Sequence, residues 1–181
     1  KSDWALKRTK GWANDLLNIG EIDLVIKGEF HFDEPCLLIS NHSSQMDIPI
    51  LMKAFPDLIF FLAKKELRSI PFFGRAMEAL GFVFIERGRR SAALKSMSEL
   101  AALVKSGKFI LTFPEGTRSS TDEMLPFKKG VFLTSIKTGL PIYPIVIRGS
   151  RKVLPSGTLD LTPGSVEVVF GEAIRPPKKV Q

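Results

Sequence analysis

The feature that most constrains this chain is a rhythm. Short apolar runs, each closed by polar or turn-forming residues, alternate with segments whose apolar residues recur every three or four positions. The short runs predict strands at Ile22–Ile26, Cys36–Ser40, Leu58–Ala63, Phe82–Ile85, Phe109–Phe113, Ile142–Ile147 and Val166–Phe170. Between them the spacing predicts helices at Ser44–Ala54 and at Pro71–Leu80, where proline suits the first helical position. A longer helix is expected over Arg89–Lys105, with Leu94, Met97, Leu100, Ala101 and Val104 on one face. Another covers Gly130–Thr138, closed by Gly139. Nearly continuous apolar strands are those covered on both faces, and strand–helix alternation builds parallel sheets. The expectation is a single α/β domain over residues 21–181, with a largely parallel central sheet flanked by helices. The Pro-bearing run Leu140–Ile147 reads as an edge strand or a bend, because proline cannot donate to a ladder.

Residues 1–20 read as an amphipathic helix. Trp4, Ala5, Leu6, Trp12, Ala13, Leu16, Leu17 and Ile19 fall on one broad side, and Lys7, Lys10, Asn14 and Asn18 lie opposite. Arg8 and Asp15 intrude on the apolar side, and Gly11 weakens the helix. Such a helix either packs on its own domain or lies in a membrane interface, with tryptophan at the headgroup level.

Composition then removes whole classes. Cys36 is the single cysteine, which excludes an internal disulfide framework and a cysteine-built zinc site. His31 and His42 are the only histidines, too few for a histidine metal cluster. No apolar run approaches the roughly 18 residues of a membrane span. The dinucleotide, P-loop, zinc-protease and nucleophile-elbow motifs are absent. Lys and Arg total 26 against 19 Asp and Glu, a net charge of +7. That charge suits nucleic acid, an anionic membrane or a phosphorylated substrate. Nucleic-acid binding needs exposed aromatics interleaved with the cations, whereas the Phe residues lie mostly inside apolar runs, so it is discounted.

Four segments carry chemistry. Asn41-His42-Ser43-Ser44-Gln45-Met46-Asp47 leaves a strand and opens a helix, where α/β folds place ligand sites. A carboxylate on one imidazole nitrogen fixes the tautomer and lets the other nitrogen take a proton from a hydroxyl. His42 and Asp47 meet only if His42 lies in the turn before the helix and Asp47 reaches back to it. Plain capping is the alternative, with Ser44 as N-cap and Asp47 at the third helical position. Phe113-Pro114-Glu115-Gly116-Thr117-Arg118-Ser119 also leaves a strand, and offers hydroxyls and a planar Arg fork suited to phosphate, or else a plain surface turn. Gly81–Arg90 ends a strand in Arg87, Arg89 and Arg90. The fourth segment is the proline-bearing run itself.

In this order the four segments resemble the glycerolipid acyltransferase family, more narrowly the bacterial 1-acyl-sn-glycerol-3-phosphate acyltransferases. The family's N-H-x-x-x-x-D motif matches Asn41–Asp47, its G-x-x-F-I-x-R motif matches Gly81–Arg87, and its F-P-E-G-T-R-S motif matches Phe113–Ser119. Ala63–Leu67 and Pro126–Gly130 also look like family segments. The resemblance implies His42 and Asp47 as a catalytic dyad, with Arg87, Arg118 and Lys64 on the acceptor phosphate and Glu115, Gly116 and Thr117 shaping the loop beneath it. It implies an acyl-CoA or acyl-carrier-protein co-substrate, a lysophospholipid acceptor, and neither metal nor other cofactor. It further implies an anionic membrane surface as partner, at the cytoplasmic face of the cell membrane. Attachment there is peripheral, through residues 1–20, or through a segment outside this chain. The family often carries more apolar helix at its N-terminus than these residues supply, so attachment is where this chain departs from the pattern. Three alternatives share some features, the first being an acyltransferase that acts on another lysolipid or on glycerol 3-phosphate. A thioester hydrolase would use the same dyad with no need of Arg87 and Arg118, and a basic membrane-binding module would use only the charge and the tryptophan-bearing helix.

Overall fold

A computed structural model describes residues 2–31, 34–79, 82–85 and 99–177. The strands are β1 (Ile22–Lys27), β2 (Leu37–Ser40), β3 (Ile59–Lys64), β4 (Val83–Ile85), β5 (Phe109–Thr112), β6 (Ile142–Arg148) and β7 (Gly164–Phe170). The helices are α1 (Ser2–Ile19), α2 (Asp47–Ala54), α3 (Phe73–Ala79), α4 (residues 99–105), α5 (Gly130–Thr138) and α6 (Ser150–Val153).

The strands form one sheet in the order β1-β7-β6-β2-β5-β3-β4. Every neighbouring pair is parallel except β6 with β7. The carboxyl ends of β6, β2, β5, β3 and β4 therefore share one edge of the sheet, and β1 and β7 run the other way. Alternating side chains of the strands divide between two cores. Leu38, Phe61, Leu111, Ile145 and Val168 join α1 and α2 on one face, where Phe30 packs against Phe55, Tyr143 and Phe109. Leu37, Ile39, Leu62, Ile110 and Ile142 join Leu100, Ala101 and Val104 of α4 and Val131 of α5 on the other. Each fully buried side chain of this kind contributes about 1.5–3 kcal/mol. This bears out the expected α/β class with a mostly parallel sheet and an N-terminal helix.

Local differences have physical causes. α2 begins at Asp47, later than the apolar spacing suggests, because residues 41–44 fold into a hydrogen-bonded loop. Ser44 is thus not the N-cap, a place that falls to Met46. The helix expected over Pro71–Leu80 starts only at Phe73, as α3, and a 3-10 turn over Lys65–Ser69 precedes it. Phe72, between them, sits at φ +61. β6 is not an edge strand but lies between β7 and β2. Proline fits because the Pro144 carbonyl accepts Gly171 N–H at 2.9 Å just beyond the end of β7, so the missing donor faces no ladder partner. The helix over Gly130–Thr138 ends as expected: Gly139 adopts φ +77 and its N–H bonds Ser135 O at 2.8 Å. The N-terminal part of the helix expected over Arg89–Lys105 lies outside the described residues.

In α1 the core-facing stripe is Thr9, Ala13 and Leu17, with buried Gly20 just beyond the helix end. Trp4, Trp12 and Ile19 stand on an adjacent exposed ridge with Arg8, whose guanidinium lies 5.4 Å from the Trp4 ring centre. The helix packs on its own domain and keeps an aromatic ridge outside. Among the described residues no helix is long and apolar enough to cross a membrane.

Candidate active site

The loop Asn41–Met46 leaves the carboxyl end of β2 and is held by bonds from neighbouring strand ends. The Asn41 side chain imitates a peptide unit: Nδ2–H donates to Ile147 O at 2.9 Å, and Ile147 N–H donates to Oδ1 at 2.8 Å. This extends the β2–β6 ladder by one step beyond Ser40. Next in line, His42 N–H donates to Glu115 Oε1 at 2.7 Å, and its carbonyl accepts Ser119 N–H at 2.8 Å. Both backbone groups of His42 are thereby fixed by the loop that follows β5.

Asp47 turns back from the first residue of α2, as the five-residue spacing requires. Its Oδ2 accepts His42 Nδ1 at 2.7 Å, Ser43 N–H at 2.8 Å and Ser44 N–H at 2.9 Å. Hydrogen bonds to a charged acceptor each contribute about 1.5–3 kcal/mol, so the carboxylate both caps the loop and orients the ring. A carboxylate only accepts, so Nδ1 carries the hydrogen and Nε2 keeps its lone pair. The Asp47 side chain is 0% exposed and that of His42 15%. The imidazole stacks on Phe113 at 3.9 Å with 13° between planes, and Phe113 stacks in turn on Phe61. One face of the ring is covered by an apolar surface that also tolerates positive charge.

Glu115 is 3% exposed and has both oxygens engaged, Oε1 by His42 N–H and Oε2 by Leu125 N–H at 2.7 Å. Gly116 takes φ +77, a left-handed conformation that strains any residue with a Cβ, so this turn favours glycine. Thr117 is exposed and Arg118 half-buried. Arg118 Nη1 is buried with no hydrogen-bond partner among the described residues. Ser119 Oγ bonds Glu123 O at 2.7 Å and ties the loop to itself.

A pocket of about 190 Å³ opens beside the imidazole, between the ends of β2, β5 and β6. Its walls include Asn41, His42, Glu115, Ser119, Gly149 and Arg151. Chemically, the pocket presents an oriented imidazole with one free lone pair next to guanidinium donors.

The fold brings His42, Asp47, Glu115, Gly116, Thr117 and Arg118 to one edge of the sheet. Lys64 is the last residue of β3 on that edge, paired in register with Ile85 of β4, and its side chain lies outside the described portion. Arg87 lies outside the described residues. Sequence reasoning missed the Asn41 clamp and the Phe113 stack. Asn41 and Ile147 are 106 positions apart, and an asparagine after a buried strand was the one available signal. Cys36 is buried just before the start of β2, at the opposite end of that strand from His42. Burial, helped by the Glu34 charge, pushes its thiol from 9.0 up to about 11, which keeps it protonated and unreactive. Among the described residues no group of three His, Cys, Asp or Glu could hold a metal ion.

Comparisons with known proteins point to one family. Residues 21–148 match the family model described as Acyltransferase. The chain is 36% identical over 143 residues to the chloroplastic 1-acyl-sn-glycerol-3-phosphate acyltransferase BAT2 of Brassica napus, covering 78% of this chain and 41% of that protein. It is 39% identical over 137 residues to the 1-acyl-sn-glycerol-3-phosphate acyltransferase of Saccharomyces cerevisiae, covering 74% and 45%. The chain thus spans less than half the length of these two relatives. The crystal structure of the 1-acyl-sn-glycerophosphate (LPA) acyltransferase PlsC from Thermotoga maritima superposes with a TM-score of 0.79 at 31% identity, covering 97% of this chain and 71% of that one. With the family match spanning most of the chain, and the fold of a solved member reproduced, this protein belongs to the acyltransferase family.

Proposed function

We propose that this chain is the catalytic part of an enzyme that moves a fatty acyl group from a thioester, acyl-CoA or acyl-carrier protein, to the free hydroxyl of 1-acyl-sn-glycerol-3-phosphate. The observation that carries the reading is the His42–Asp47 pair, with Nδ1 bonded to a buried carboxylate at 2.7 Å. The names of the relatives supply the acceptor.

The acceptor hydroxyl gives its proton to His42 Nε2 as its oxygen attacks the thioester carbonyl carbon. Asp47 steadies the imidazolium that forms. The C–S bond then breaks, and the leaving thiolate takes the proton back from Nε2. No acyl-enzyme forms, and Cys36 takes no part. Arg118 offers its buried Nη1 to the acceptor phosphate, as a planar fork suits that group. Lys64, the last residue of β3 on the same edge, and Arg87, two positions after β4 in the sequence, would join it. Glu115 positions the His42 backbone, and Gly116 and Thr117 shape the turn that presents Arg118.

A panel of acceptors with one acyl-CoA tests the substrate assignment, read by isolating the lipid product. Phosphatidic acid formed from lysophosphatidic acid, in preference to products from glycerol 3-phosphate or a neutral lysolipid, is the expected result. Equal use of a neutral lysolipid would contradict the phosphate role of Arg118.

We further assign the Trp4–Arg8–Trp12–Ile19 ridge to an anionic bilayer at the cytoplasmic membrane face. Sedimentation with phosphatidylglycerol vesicles should retain the wild-type chain and release a Trp4→Ala/Trp12→Ala variant. Equal retention of both would remove α1 from membrane contact.

A further inference from the structure

Acyl transfer between a thioester donor and a phosphorylated acceptor joins two anions, and the described residues hold two arginines with a buried, unpartnered nitrogen: Arg118 Nη1 and Arg151 Nε. They follow the strands on either side of β2. Arg118 follows β5, on one flank of β2, and Arg151 sits in α6 immediately after β6, on the other flank. Arg151 lines the pocket that the imidazole opens into, and Arg118 does not.

The state of Arg151 points to a ligand. Its side chain is 31% exposed, and its ion pair among the described residues is long, Nε to Asp122 Oδ1 at 3.4 Å, with Asp122 itself 77% exposed. An exposed partner at that distance contributes little. Neighbouring Arg148 differs, since its Nη1 bonds Glu167 at 2.9 Å and Glu167 also pairs with Lys27. Lys152 is exposed on the same pocket wall. One committed arginine and two further cations therefore line the pocket after β6, together with Asp122, beside Arg151, and Glu123.

We propose that Arg151, assisted by Lys152, docks the phosphate of the thioester donor's phosphopantetheine arm. The donor then enters over the β6 end while the acceptor phosphate rests at the β5 end, with His42 between the two. This rests on the acyl-transfer reading above. The phosphate is common to CoA and to carrier protein, so the two donors form separate arms of the test.

Free CoA is titrated calorimetrically into the wild-type chain and into Arg151→Gln, Arg151→Lys and Lys152→Gln. KM is then measured for acyl-CoA, acyl-carrier protein, an acyl N-acetylcysteamine thioester that lacks phosphate, and the acceptor. Arg151→Gln should weaken CoA and raise the acyl-CoA KM by about tenfold, the size of one lost charge-assisted contact. The KM values for the acceptor and for the phosphate-free thioester should stay unchanged. An equal rise with acyl-carrier protein is expected from the shared phosphate, and a rise with acyl-CoA alone would overturn the assignment to the phosphopantetheine arm. Lys152→Gln, a surface change that leaves folding intact, should move the same quantities in the same direction by less. A rise in acceptor KM instead, an equal effect on the phosphate-free thioester, or CoA affinity unchanged across all the variants would overturn the proposal. CoA titration needs no turnover, so a protein that binds CoA through Arg151 yet transfers nothing would refute acyl transfer and leave the phosphate site standing.

Discussion

The two loops that leave β2 and β5 stand side by side at one sheet edge and are built on opposite terms. In the β2 loop the contacts point inward. Asn41, the His42 backbone, His42 Nδ1 and the Ser43 and Ser44 amides all have partners, and Asp47 Oδ2 alone accepts three of them. In the β5 loop Glu115 is committed in the same way, but three residues later Arg118 keeps a buried nitrogen unpartnered among the described residues. A group that must act at one orientation is held by its neighbours in advance, so little reorganisation remains for the reaction. A group that must grip a ligand keeps donors in reserve, because a satisfied arginine has nothing left to offer.

Substitutions should separate the two loops by what they change. His42→Ala should lower kcat by about 10⁴-fold, the upper range for a lost general base, with acceptor KM nearly constant. Activity within tenfold of wild type would remove His42 from the chemistry. Asp47→Asn should lower kcat by about 10³-fold, since the amide no longer fixes the tautomer or steadies the imidazolium. It should also lower Tm, because three donors lose a charged acceptor. A lowered Tm at wild-type kcat would make Asp47 a cap and nothing more. Arg118→Lys should act in the opposite manner, raising acceptor KM by about tenfold with a small change in kcat, as a point charge replaces a planar fork. A fall in kcat alone would merge the two loops into one function.

Cys36→Ala marks the background against which those effects are read, with activity close to wild type. Its pH effect has a definite sign. The unfolded chain ionises the thiol near 9.0 and the folded chain only near 11, so below pH 9 both states are protonated and stability is unaffected. As pH rises from 9 toward 11 the unfolded state gives up its proton first, and wild-type stability falls. Chemical denaturation of the two proteins over that range should show a decline in wild type that the alanine variant lacks.

Much of this arrangement was legible in the chain because it is local. The strand runs alternate with helix-spaced segments, and the site motifs follow two of those runs directly, so the meeting of His42 with Asp47 needed only a turn and a first helical residue. What the chain could not display is non-local. Asn41 bonds a strand 106 positions away, and Phe113 reaches the imidazole only because β5 lies beside β2. The interior position of Pro144 depends on where β7 stops, which no property of the Leu140–Ile147 run announces. The start of α2 shifted partly for the same reason: Ser44 Oγ donates to Leu154 O, 110 positions away, while Asp47 gives its carboxylate locally to the preceding loop, and residues 44–46 stay outside the helix.

The central claim is that a preorganised His42 takes its proton from an acceptor hydroxyl and not from water. Free-thiol release from acyl-CoA, followed with and without lysophosphatidic acid, tests it most directly. The account predicts release that rises with acceptor concentration, matches phosphatidic acid formed one for one, and vanishes in His42→Ala. Release at the same rate without acceptor would contradict it and make the protein a thioester hydrolase.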